Sequence, residues 1–156
     1  MQPLVKKDLE LVNGILDRLA SKAGPLIEIL HEVQSALGCI PAGAVAPIAE
    51  RLNLSRAEVH GVVTFYHDFR DHRPGRHLLA VCRAEACQSM NSAALIDHLK
   101  KKLGVDFHGT TRDGRLTLLP VYCLGNCACA PALMLDGQLH GRVTPQRADE
   151  LLGDLP

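Results

Sequence analysis

His77-Leu78-Leu79-Ala80-Val81-Cys82-Arg83-Ala84-Glu85-Ala86-Cys87 decides how the second half of this 156-residue chain is read. His77 to Val81 is an unbroken, mostly apolar run of strand length, the pattern of a buried strand. Two thiols, Cys82 and Cys87, follow it directly. The arrangement repeats downstream, where the apolar run Leu116 to Tyr122 leads into Cys123-Leu124-Gly125-Asn126-Cys127. Between the two runs, Asn91 to Leu103 has the spacing of an amphipathic helix that uses Ala94, Leu95, His98, Leu99 and Leu103. A strand, a helix and a second strand place both strand ends on one edge of a sheet, so the two cysteine pairs are expected to converge there.

Further along, Ala132 to Leu135 and Gln138 to His140 form a hairpin pattern that turns at Asp136-Gly137, a strong turn dipeptide. Thr144 and Pro145 make an N-cap and first-turn pair for a last helix through Leu152. The order β-α-β-β-β-α describes a small α/β domain resembling thioredoxin. Upstream, the polar segment Asp71-His72-Arg73-Pro74-Gly75 ends in a turn signal and marks a domain boundary. The fold class is therefore α+β, with a helical bundle over 1–73 and a thioredoxin-like α/β domain over 74–156.

The first domain reads as helix after helix. Leu9, Val12, Leu16 and Leu19 form one stripe, ended by Gly24 and Pro25. Leu26, Ile29, Leu30, Val33 and Leu37 form a second, with Gly38 as its left-handed cap. A short third helix from about Ala44 to Leu52 accommodates Pro47 only in its first turn. Ser55 and Glu58 form a capping box for a fourth helix, whose Val59, Val62, Val63, Phe65 and Tyr66 read as core.

Lys and Arg number 17 against 17 Asp and Glu, and this zero net charge removes the driving force for non-specific nucleic-acid binding. No apolar run approaches the roughly 18 residues of a membrane span. Met1 to Lys7 lack the apolar core of a secretory signal. The expected location is cytoplasmic, where six cysteines point to metal or redox chemistry rather than to disulfides.

Two thiolate pairs at neighbouring strand ends suit a [2Fe–2S] cluster, in which each iron takes two protein thiolates and bridging sulfides supply the rest. Cys82, Cys87, Cys123 and Cys127 are the candidate ligands. Leu124, Ala128, Ala130, Pro131 and Ala132 would wall the cluster from water, and Gly125 would let backbone N–H groups approach the sulfurs. A structural zinc site with the same four thiolates is the competing reading, in which the protein is a binding module. Cys129 could replace Cys127 in a C-x5-C pair, but the tighter C-x3-C spacing favours Cys127 and leaves Cys129 as a small buried hydrophobe. Cys39 reads as a core thiol of the helical domain. The chain has no C-x-x-C, which argues against a dithiol oxidoreductase. It also lacks G-x-G-x-x-G and G-x-x-x-x-G-K-[ST], so no nucleotide site and no catalytic centre of its own are expected. The eight histidines form no metal motif. Arg83 and Glu85 lie inside the first cysteine loop, where their charge could tune a cluster, although solvated loop charges are the plainer account.

Together, Glu58-Val59-His60-Gly61-Val62-Val63-Thr64-Phe65-Tyr66, the C-x4-C pair and Cys123-Leu124-Gly125-Asn126-Cys127-Ala128-Cys129-Ala130-Pro131 resemble the thioredoxin-like [2Fe–2S] family of the respiratory NADH dehydrogenase 24 kDa subunit. The resemblance runs from about Leu26 to Gly141. Within that family, Cys82-Arg-Ala-Glu-Ala-Cys-Gln-Ser-Met90 is most similar to the gamma subunit of soluble NAD-dependent formate dehydrogenases, and hydrogenase diaphorase subunits share the architecture. The resemblance implies one [2Fe–2S] cluster that exchanges single electrons with the flavin of a partner diaphorase subunit. FMN, NAD and a molybdenum cofactor would then sit on partner subunits, a molybdenum-containing subunit oxidising formate. The helical half, including Thr64-Phe65-Tyr66, would fasten the chain to its neighbours.

Overall fold

Apolar residues at helical spacing account for the whole first half of the computed structural model, which describes residues 5–155. The leader reading falls partly on Met1 to Leu4, which lie outside the described residues. Two units divide the chain after Arg73, and each is taken on its own.

The first unit holds α1 (Lys6–Leu19), α2 (Leu26–Leu37), α3 (Ala42–Leu52) and α4 (Arg56–Phe65). Its core is aliphatic, built on Val12, Ile15, Leu16, Ile29, Leu30, Val33, Ile48 and Val59. Leu9, expected on the α1 stripe, is 37% exposed and Ile15 is buried instead. At 3.6 residues per turn the stripe through positions 12, 15, 16 and 19 leaves position 9 about 70° from its centre. Gly38 takes the left-handed cap at φ 79° and returns its N–H to the Gln34 carbonyl. The Gln34 side chain then clamps the segment after α4, donating to the Asp68 carbonyl at 2.8 Å and accepting the Arg70 N–H at 2.7 Å.

Two expectations for this unit fail. Pro47 lies inside α3 rather than in its first turn, because the helix begins two residues earlier, at Ala42 after the extended Pro41. The bond lost to Pro47 is the one to Gly43, an exposed residue whose carbonyl can turn to water. Phe65 and Tyr66 are not core: they are 73% and 44% exposed at the end of α4, stacked edge to face at 5.1 Å. Val59 is the buried residue of that helix.

The second unit is a four-stranded sheet in the order β2-β1-β3-β4, made by β1 (His77–Cys82), β2 (Leu116–Val121), β3 (Leu133–Leu135) and β4 (Gln138–His140). β1 and β2 are parallel, and β3 pairs antiparallel with both β1 and β4. The β3–β4 hairpin turns at Asp136 and Gly137, both with positive φ, as the dipeptide demands. A parallel pair needs a long crossover, here supplied by α5 (Glu85–Ser89) and α6 (Ser92–Leu103). The five residues of α5 carry no readable period, so the sequence does not announce it, and Asn91 in the left-handed region separates it from α6. On α6, Leu95 and Leu99 are buried as expected, whereas Ala94 is exposed and Ser92 is buried instead. α7 (Pro145–Gly153) closes the unit, with Thr144 accepting the Arg147 N–H. Leu79, Val81, Leu95, Leu99, Leu116, Leu118 and Leu133 form the core. No helix among the described residues is long and apolar enough to cross a membrane.

The capping box at α4 is complete: the Ser55 N–H and hydroxyl donate to Glu58, and the Ser55 oxygen accepts the Glu58 N–H. The Ser55 backbone N–H, aided by its hydroxyl, holds the Glu58 carboxyl below its ordinary value. A lowered carboxylate stabilises the fold above the ordinary pKa of about 4.3 and ceases to do so as pH falls through the lowered one. Ser55→Ala should unfold at lower denaturant concentration than the parent at pH 7, with the gap narrowing only in part as the pH is taken through that window, because alanine keeps the backbone N–H.

Candidate metal centre

The register of β1 against β2 sets Cys82 opposite Val121, so the first thiol leaves its strand where the second strand ends. Two backbone bonds fix this corner. The Arg83 N–H donates to the Val121 carbonyl at 2.8 Å, and the Cys82 N–H donates to the Ala132 carbonyl at 3.1 Å. Cys87 comes from α5, and both thiols are only 2% exposed. They share a small apolar cluster with Ala130 and Ala132, rimmed by Ala84, Val121 and Leu124.

The second pair stands at the surface. Cys123 and Cys127 are exposed, with their sulfurs 3.8 Å apart. Cys123 has φ 126°, a region that side-chain-bearing residues avoid at a cost of about 1–3 kcal/mol. Gly125 follows at φ 73°, which only glycine adopts freely, and its N–H donates to the Cys123 sulfur at 3.3 Å. The backbone approach expected from Gly125 is thus present. Cys127 opens a single 3-10 turn, Cys127–Cys129.

The two pairs form one electrostatic site. Burial pushes the Cys87 thiol up, helped by the adjacent Cys82 thiol and, more weakly, by Cys127. Cys127 is raised first by its hydrogen bond with Cys123, and Cys82 adds to it. Cys87 and Cys127 are thus each harder to ionise beside the other thiols. Iron would offset that repulsion, since ligation requires thiolates and releases their protons. Among the described residues, no group of three or more His, Cys, Asp or Glu side chains is placed to hold a metal ion. The thiols lie in two pairs, Cys82 with Cys87 and Cys123 with Cys127, and four such donors with a backbone N–H on one sulfur fit a two-iron cluster.

The expected apolar wall is half formed. Ala130 and Ala132 are buried and Leu124 packs beside them, but Ala128 is exposed. Ala128 is the middle residue of the 3-10 turn, where the tight winding that carries Cys127 turns the intervening side chain outward. Cys129, read as a buried hydrophobe, is half-exposed, and its carbonyl accepts the Arg142 N–H at 2.6 Å. Cys39 is fully buried among the helices of the first unit, where burial raises its thiol.

Gly141 is a site residue that sequence reasoning misses. A Cβ there would lie 2.7 Å from the Cys129 Cβ, 2.7 Å from the Asn126 Nδ2 and 2.9 Å from the Cys129 carbonyl oxygen. The strand-end glycine thus lets the cysteine turn pack on the backbone after β4. Its only signal in sequence is a glycine at the end of a strand, which marks a close approach without naming what approaches.

A family model described as Thioredoxin-like [2Fe-2S] ferredoxin matches residues 12–156. The chain is 43% identical to the NADH-quinone oxidoreductase E subunit of Pseudomonas aeruginosa over 126 residues, 81% of this chain and 76% of that protein. It is 30% identical to the HndA subunit of the NADP-reducing hydrogenase of Solidesulfovibrio fructosivorans over 153 residues, 98% of this chain and 87% of that one. Among solved structures, an NAD+-reducing [NiFe]-hydrogenase in the air-oxidized state superposes with a TM-score of 0.71 at 27% identity, covering 83% of this chain. The chain spans 22% of that hydrogenase chain.

Gly141→Ala is expected to cost about 1–3 kcal/mol through overpacking and to lower cluster occupancy, read as visible absorbance per chain, while far-UV dichroism stays native. Gly153→Ala, where nothing lies within 4 Å of the added carbon, should leave occupancy unchanged.

Proposed function

The chain belongs to the thioredoxin-like [2Fe–2S] ferredoxin family, and on that premise we propose that it is the electron-transfer subunit of a multi-subunit NAD-dependent oxidoreductase. One [2Fe–2S] cluster is held by Cys82 and Cys87 on one side and by Cys123 and Cys127 on the other. The observation that carries this reading is the two-plus-two set of thiols at the ends of a parallel strand pair, with the Gly125 N–H on the Cys123 sulfur. When bound, such a cluster supplies one-electron transfer. The chain's own residues hold it, tune it and present it. Ala130, Ala132 and Leu124 exclude water behind the buried Cys82 and Cys87, and the hydrogen bond at Cys123 stabilises negative charge on sulfur. The exposed Cys123 and Cys127 face outward, where a redox partner can approach.

The partner in this reading is a flavin- and NAD-binding diaphorase subunit, with FMN and NAD on that chain. The names of the two sequence relatives, one from an NADH-quinone oxidoreductase and one from an NADP-reducing hydrogenase, support a place in such a relay. We assign residues 1–73 to docking and 74–156 to the ferredoxin domain. The exposed Phe65 and Tyr66 favour that docking role. Six free cysteines fit a reducing cytoplasm. The finer assignment, a formate dehydrogenase gamma subunit beside a molybdenum-containing chain, rests on the Cys82 to Met90 loop alone.

Anaerobic purification should yield about two irons and two acid-labile sulfides per chain, with an S = 1/2 EPR signal after dithionite reduction. Zinc without sulfide would contradict the electron-transfer reading. Affinity purification from the native cell should bring down a flavoprotein. A molybdenum-containing chain with it supports the formate assignment, and hydrogenase or quinone-reducing subunits in its place refute it.

A further inference from the structure

Arg83 directly follows Cys82, and Tyr122 directly precedes Cys123. The two residues meet. The Arg83 guanidinium carbon lies 6.0 Å from the centre of the Tyr122 ring and 5.1 Å from that of Phe107. Lys100 approaches the same Phe107 ring at 4.5 Å and is itself ion-paired to Asp106. The Arg83 backbone is equally fixed, its N–H on the Val121 carbonyl and its carbonyl accepting the Gln88 side-chain amide at 2.6 Å. A solvated loop arginine would be free to swing away from the thiols. This one is exposed, yet it is held by two rings and two backbone bonds beside the first ligand position. The acidic residue of the same loop, Glu85, is exposed on α5 and opposes it.

We propose that Arg83, held by Tyr122 and Phe107, keeps a fixed positive charge one residue beyond the first ligand position and thereby raises the reduction potential of the cluster. The proposal rests on the assignment of Cys82, Cys87, Cys123 and Cys127 as ligands. Four thiolates and two sulfides make the cluster anionic, and reduction adds one more negative charge. A cation fixed nearby favours the reduced form. Because the guanidinium is exposed, solvent screening limits the effect.

The test is a spectroscopic redox titration of the cluster-loaded full chain. Arg83→Gln is expected to lower the ratio of reduced to oxidised cluster at a fixed ambient potential about fivefold, or about 40 mV at 59 mV per decade. Arg83→Lys should recover at least half of that shift, and the gap between wild type and Arg83→Gln should narrow in about 0.5 M salt, as a Coulomb contribution must. Equal potentials for wild type and Arg83→Gln, or equal shifts for Gln and Lys that ignore salt, overturn the proposal. Should Arg83→Gln hold no cluster, Tyr122→Leu carries the test. It keeps the charge but frees it, and should shift the ratio in the same direction by a smaller factor, so an unmoved potential overturns the proposal there too. A wild-type chain without iron and sulfide would instead defeat the ligand assignment.

Discussion

The parallel pairing of β1 with β2 is the constraint on which the rest of the cluster-bearing unit depends. Its register puts Cys82 beside Val121 and so places Cys123 just past the end of the neighbouring strand. A slip of one residue would turn every side chain of the strand to the opposite face, driving Leu79 and Val81 into the space where Ala80 now packs and moving Cys82 away from its partners. The register is therefore protected by the core. Leu79, Val81, Leu116 and Leu118 are each no more than 1% exposed, and burying one such side chain contributes about 1.5–3 kcal/mol. The crossover α5 and α6 is the covering that a parallel pair requires, and Cys87 rides on its first turn.

From that corner the site acquires its asymmetry. One thiol pair is packed among alanines and the other stands in solvent. The buried side fixes geometry and keeps water from the sulfurs. The open side costs backbone strain at Cys123, which the Gly125 N–H to the sulfur and the close seat of the cysteine turn on Gly141 help to hold. An electron carrier needs this division, because a site buried on every side would be insulated from its partner. The Arg83 and Tyr122 pair lies on the same parallel register, one residue beyond Cys82 and one before Cys123.

Much of this is legible in the sequence where a local rule leaves little choice. Ser55 with Glu58, Gly38 as a left-handed cap, Asp136-Gly137 and Thr144-Pro145 each specify one backbone geometry, and the structure has each of them. The β1 and β2 runs are readable because they are mostly apolar, interrupted only by His77 and Thr117. What escapes depends on distances between residues remote in sequence. Nothing in the sequence reveals that Gly141 touches Cys129, or that Arg83 stacks on Phe107. Periodicity also misleads at helix ends. Leu9, Phe65 and Tyr66 keep the spacing of core positions but lie at the rim or beyond it and are exposed. Pro47 is tolerated inside α3 because the exposed Gly43 carbonyl can be hydrated, a compensation that sequence spacing does not encode.

The central claim is that four cysteines, two at each strand end, hold the cluster and that the other two do not. The direct measurement is the EPR spectrum and midpoint potential of six single Cys→Ser variants of the reduced, anaerobically prepared protein. The account predicts that serine at position 82, 87, 123 or 127 abolishes or visibly alters the signal, while serine at 39 or 129 leaves both quantities at the wild-type value. A wild-type signal from any of the first four, or its loss in Cys129→Ser, would contradict it.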